Sequence, residues 1–92
     1  MREIEYTNQF LKDYKREIKS PKHKDLDATI EVVVDLLSGD RPMPRILKDH
    51  ALKGPYVETR ECHIKPDLLL IYMKKGISSL VLIRIGSHSE LF

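Results

Sequence analysis

Six consecutive residues, Leu68-Leu69-Leu70-Ile71-Tyr72-Met73, are apolar or aromatic. Successive side chains of a strand point to opposite faces, so a strand that is apolar at both parities must be covered on both sides. The run therefore predicts a central strand. Pro66-Asp67 before it and Lys74-Lys75-Gly76 after it supply turn chemistry. Leu80 to Ile85 is a second apolar run, interrupted only by Arg84 and ended by Gly86. A further strand is expected over about Val57 to Lys65, because Lys65 precedes a proline and is biased to extended geometry. The carboxy-terminal half thus reads as three antiparallel strands.

The amino-terminal half has helical periods. Arg2 to Tyr6 alternates polar and apolar residues and predicts a first strand. Thr7 or Asn8 can cap the helix that follows, where Phe10, Leu11, Tyr14 and Ile18 form the apolar stripe. Lys12, Asp13, Lys15, Arg16 and Glu17 are expected on its solvent side. Ser20-Pro21 ends this helix and supplies an N-cap and first position for the next. Leu26, Ile30, Val33, Val34 and Leu37 line that second helix, with Gly39 as terminator. Lys19, Lys22, His23 and Lys24 read as a solvated turn. Asp40-Arg41-Pro42-Met43-Pro44 is a linker, since two prolines remove donors and fix φ. Leu47 and Leu52 are expected to anchor the segment between the linker and the sheet.

The expected architecture is α+β: one domain over residues 1–92, in the order β-α-α-β-β-β, with two helices packed on one face of an antiparallel sheet. A composition of 41% hydrophobic and 33% charged residues is globular. No stretch approaches the length of a membrane helix, the amino terminus carries no apolar signal core, and Cys62 is the sole cysteine. A cytoplasmic protein without disulfides is expected. The net charge of +2 says little alone, because the placement of basic residues can matter more than their sum.

Arg60-Glu61-Cys62-His63-Ile64-Lys65-Pro66-Asp67 sets acids, bases and an imidazole directly before the buried strand. Alternation assigns Cys62 and Ile64 to the core and Glu61, His63 and Lys65 to the opposite face. Cys62 reads as a small buried hydrophobe. On the last strand, alternation groups Val81, Ile83 and Ile85 on one face and Leu80, Leu82 and Arg84 on the other. His50, His63 and His88 lie beside sheet edges, turns or the carboxy terminus, among Glu61, Asp67, Lys48, Lys53, Lys65 and Arg84. Histidine moves protons in either direction near neutrality. Two such groups and a fixed cation are what RNA cleavage by its own 2′-hydroxyl requires, with no metal. No cysteine pair or histidine-rich helix motif suggests zinc.

Three blocks then carry a resemblance: Lys48-Asp49-His50-Ala51-Leu52-Lys53-Gly54, Arg60 to Asp67 with Leu70-Ile71-Tyr72, and Arg84-Ile85-Gly86-Ser87-His88-Ser89-Glu90-Leu91-Phe92. In these the chain resembles the RelE/ParE superfamily of bacterial toxins, in its YafQ-like branch. The resemblance implies a RelE-like fold and a ribosome-dependent endoribonuclease, or mRNA interferase, that needs no cofactor. It implies a cognate ribbon-helix-helix antitoxin, with operator DNA reached only through that antitoxin, and the ribosome and mRNA as further partners. It assigns His50, His63, Asp67, Arg84 and His88 to catalysis: His63 or His50 as general base, His88 as general acid, Arg84 as phosphate cation. Lys48, Lys53, Glu61, Lys65 and Phe92 are expected to touch substrate, Phe92 by stacking on a base. Glu61 stands where relatives often carry Asp, and Tyr56-Val57-Glu58-Thr59 departs from their aromatic and basic residues. The alternative expectation is a non-catalytic ParE-like toxin, or a module on the same scaffold that binds RNA or a partner.

Overall fold

The computed structural model describes residues 1–54 and 58–92. Val57, the expected start of the strand that ends at Lys65, lies outside the described residues, as do Pro55 and Tyr56. The elements are β1 (Glu3–Tyr6), α1 (Asn8–Ile18), α2 (Leu26–Ser38), β2 (His50–Ala51), β3 (Arg60–Lys65), β4 (Leu68–Lys75), β5 (Ser79–Gly86) and a one-turn helix, α3 (His88–Leu91). Short 3₁₀ turns at Pro21–His23 and Arg45–Leu47 join them.

The sheet order is β1-β5-β4-β3-β2. The hairpins β3–β4 and β4–β5 are antiparallel as expected, β2 adds antiparallel to β3, and β1 lies parallel to β5, so the sheet is mixed. β4 is central and covered on both faces. Leu68, Leu70 and Tyr72 join Phe10, Leu26, Ile30, Val33 and Leu37 on the helix side. Leu69 and Ile71 pack under Leu91 on the outer side. Gly76, at φ +59°, forms the β4–β5 turn; Lys74 and Lys75 belong to β4 and not to that turn.

Several local expectations are corrected. Thr7 does cap α1, its hydroxyl accepting from the Phe10 N–H. Asp13 and Glu17, however, are buried, while Leu11 and Ile18 are exposed. The reason is the sheet edge beneath α1. β1 stops at Tyr6, opposite Leu82, so among the described residues the rest of β5 has no strand neighbour on that side. Polar side chains of α1 pair with its backbone instead: Thr7 Oγ1 donates to the Ile83 carbonyl, Asp13 accepts from the Ile85 N–H, and Arg16 donates to the Ile85 carbonyl. Buried backbone groups need such partners. Ser20 caps the Pro21–His23 turn rather than α2.

Two bulges change which side chains share a face. In β5, Tyr72 pairs with Leu82 but Ile71 with Arg84, leaving Ile83 as the extra residue. Ile85 therefore returns to the helix side and Arg84 lies across from outer-face Ile71, against the simple alternation. In β3 the register slips between His63 and Lys65. Lys65 turns to the helix side, opposite Leu68, instead of following Glu61 and His63.

Candidate active site

The outer face of the sheet carries the candidate site. His50 on β2 sits opposite Glu61 on β3. Glu61 pairs across β4 Ile71 with Arg84 of β5, so one rung of the sheet runs His50, Glu61, Ile71, Arg84. His63, two residues beyond Glu61, leads along its own rung through Leu69 to Gly86.

Within that rung His50 Nε2 lies 3.0 Å from Glu61 Oε2. His50 Nδ1 lies 2.8 Å from the Lys48 carbonyl oxygen. A carbonyl only accepts, so Nδ1 carries a hydrogen. Nε2 then faces the Glu61 carboxyl. The Lys48 carbonyl thus fixes the orientation of the His50 ring. Glu61 is only 6% exposed, and its Oε1 is buried with no hydrogen-bond partner among the described residues.

Arg84 is held from below. Its Nε and Nη2 donate to Asp13 Oδ2 and Oδ1, each at 2.9 Å. Asp13 is fully buried and also accepts from Gln9, Arg16 and the Ile85 N–H. Burial pushes its carboxyl up, but the hydrogen bonds from Arg84, Gln9 and Ile85 outweigh this and hold it below the usual range. Sequence spacing missed Asp13 as part of this arrangement.

His88 opens α3 and Phe92 follows its end, their rings 5.1 Å apart. Ser87 Oγ accepts from the Glu90 N–H while Glu90 accepts from the Ser87 N–H, a capping box that starts this helix. Leu91 anchors it on Leu69 and Ile71, which sets α3 on the face of Glu61 and His63. The approach is close: a Cβ on Gly86 would lie 3.0 Å from Arg16 Nη2 and 3.2 Å from Leu91 Cδ2.

The remaining residues are placed apart from the His50–Glu61 pair to differing degrees. His63 is half-buried and lines a hollow of about 300 Å³ with Leu47, Lys48 and Lys65. Asp67 is exposed on the β3–β4 turn, sharing a hollow with Ser87 and Ser89, and so stands beside the start of α3. Lys48 and Lys53 are exposed on the flanks of β2. Lys65 is committed to Asp25, at 2.6 Å. Cys62 lies in the core, where burial pushes its thiol up to about 12 and removes it as a nucleophile. Among the described residues no group of three or more His, Cys, Asp or Glu side chains is placed to hold a metal ion.

Two helices on one face, a short mixed sheet and a histidine–carboxylate pair on the other face define a small RelE-like toxin domain. The comparisons narrow this. Residues 2–92 match the family model described as bacterial toxin of type II toxin-antitoxin system, YafQ. The chain is 36% identical over 91 residues to the mRNA interferase toxin YafQ of Escherichia coli K12, covering 99% of this chain and 96% of that protein. Its structure is similar to a copper-bound mutant toxin from Helicobacter pylori, with TM-score 0.91, 38% identity and full coverage of both chains. It is also similar to a chain of the Escherichia coli DinJ-YafQ complex, with TM-score 0.84 and 36% identity, covering 100% of this chain and 99% of that one. The chain belongs to the YafQ family of type II toxins.

Proposed function

We propose that the chain is an mRNA interferase, a ribosome-dependent endoribonuclease that cuts mRNA by general acid–base chemistry. The observation that carries the reading is His50 Nε2 on the buried Glu61 carboxylate at 3.0 Å, on the sheet face against which Leu91 packs α3. The family relation and the name of the Escherichia coli relative support it.

A base, His63 or the His50–Glu61 pair, takes the proton of a 2′-hydroxyl. The oxygen forms a bond to the adjacent phosphorus, and the bond from phosphorus to the 5′-oxygen breaks. His88 gives the departing oxygen its proton. The products are a 2′,3′-cyclic phosphate and a 5′-hydroxyl. Arg84, fixed by Asp13, balances charge on the phosphorane. Phe92, beside His88, stacks on a base next to the cleaved bond. Lys48 and Lys53 meet the RNA backbone, and Asp67 tunes the start of α3. These groups supply each proton and charge that the steps require, so no metal is invoked.

The partners follow from the same reading. They are a cognate antitoxin of ribbon-helix-helix type, through which operator DNA is reached, together with the ribosome and its mRNA in the cytoplasm. The Escherichia coli DinJ-YafQ complex supports the first of these. Among the described residues no helix is long and apolar enough to cross a membrane.

The test is primer extension on mRNA from translating ribosomes, with wild type beside His88→Ala. New 5′ ends with the wild type and none with a folded His88→Ala are expected. Full-rate cleavage by His88→Ala removes the assigned acid. Broken DNA with intact transcripts would overturn the reading altogether.

A further inference from the structure

On the helix side of the same sheet edge lies a second concave feature, a basin of about 610 Å³ between the linker after α2 and the strands β3 and β4. Asp49, Arg60 and Tyr72 line it on the sheet side, and Arg41, Arg45 and Lys48 on the linker side. The acids nearby are already neutralised. Asp49 accepts from Arg60, with Nη2 at 2.8 Å, and from the Tyr72 hydroxyl. Asp40 is paired with Lys74 at 2.7 Å and Arg2 at 3.0 Å. Arg41, Arg45 and Lys48 are exposed and make no ion pair among the described residues.

These cations sit on a stiff frame. Pro42 and Pro44 fix φ within the segment. Asp40 and Lys48 bound it, at φ +52° and +48°, a region that non-glycine residues adopt only where their surroundings impose it. Backbone bonds pin both ends: the Arg41 N–H to the Leu36 carbonyl at 2.9 Å, and the Lys48 N–H to the Arg45 carbonyl at 3.0 Å. A solvated surface turn needs neither strain nor prolines to hold its charges apart.

We propose that this basin binds the ribose-phosphate backbone of RNA at a position removed from the cleaved bond. Arginine is suited to phosphate because its planar fork donates two parallel hydrogen bonds. The location decides between RNA and an acidic protein segment. Lys48 is shared: it lines the basin while its carbonyl orients His50. A strand passing His50 is therefore delivered to these cations across one short edge strand. The proposal rests on the RNA-cleaving reading but is tested by binding alone.

The experiment uses the full chain and the Arg41→Gln/Arg45→Gln double variant. One arm titrates a fluorescein-labelled single-stranded RNA, fully 2′-O-methylated so that it cannot be cut, over a range of salt. A second arm measures co-sedimentation with vacant ribosomes, and a third binding to the cognate antitoxin. Thermal melting is expected to be unchanged, because both arginines are exposed. Loss of about tenfold in affinity in either of the first two arms is expected. For the short RNA the slope of log K against log salt should fall in magnitude by about 1.4, for two phosphate contacts removed. Loss on short RNA assigns the basin to mRNA, and loss on ribosomes alone assigns it to ribosomal RNA. Unchanged binding in both, no binding by the wild type, or loss confined to the antitoxin overturns the proposal. If the variant loses RNA binding while wild type leaves transcripts intact, the basin stands and the cleavage reading falls.

Discussion

Asp13 and Arg84 lie 71 residues apart in sequence and share two hydrogen bonds of 2.9 Å. If Arg84 stabilises charge on the phosphorane, Asp13 acts through it as a positioning residue. Asp13→Asn should then lower ribosome-dependent cleavage about tenfold, the equivalent of ~1.4 kcal/mol. Arg84→Gln should lower it at least as much, and adding Asp13→Asn to Arg84→Gln should cost little more, because the group being positioned has already gone. Equal losses from Asp13→Asn in both backgrounds would mean that the carboxylate serves only the fold. This pair also shows where reading residues from sequence stops. Glu61 and His63 stood out because a charged cluster abuts an apolar run, and His50 because its polar segment precedes that strand. Asp13 was read as solvent-facing because helical spacing weighs a side chain only against its near neighbours. A carboxylate is buried when a partner neutralises it, and here that partner comes from the far end of the chain.

Elements were legible where one period ran without interruption, as in α2 and β4. They were less so where a single residue slips the register. Ile83 and Ile64 look like ordinary strand residues, and neither glycine nor proline marks the bulges beside them. Yet one bulge sets Arg84 across from Ile71 and the other sends Lys65 to Asp25. α3 did leave a signal. Ser87-His88-Ser89-Glu90 has the spacing of a capping box, but a single turn offers no period to confirm it. That shortness makes α3 dependent on its cap and on Leu91. Ser87→Ala should cost the cap about 1 kcal/mol and fray the helix. Because α3 is a single turn of four residues, the melting temperature should barely move while cleavage falls severalfold, as His88 loses its place. Primer extension paired with thermal melts checks this. A lowered melting temperature with full cleavage would show that the cap supports the fold and not the site.

For the whole molecule, the junction of α1 with the unpaired end of β5 is where helix layer and sheet depend on a charge. The polar groups of Thr7, Asp13 and Arg16 replace the missing strand, and Asp13 is the one that titrates within reach of experiment. Its carboxyl is held below the ordinary range in the folded chain, because the hydrogen bonds from Arg84, Gln9 and Ile85 more than offset burial. A depressed folded value means that the unfolded chain binds its proton first as pH falls. The stabilisation is thus complete above the unfolded value, about 3.9, and is lost as pH drops through the lower folded one. Asp13→Asn, which has the shape of the protonated acid, should be less stable than wild type at pH 7 by on the order of 3 kcal/mol. That gap should narrow steadily below about pH 4. Glu17 behaves oppositely, raised by burial and by Glu90, but it is common to both chains and cancels in the difference. Urea denaturation of the two proteins at a series of pH values measures the gap directly. A gap of constant size down to pH 2 would mean that Asp13 contributes packing and neutral hydrogen bonds rather than charge. The coupling of α1 to β5 would then have to be sought in Thr7 and Arg16.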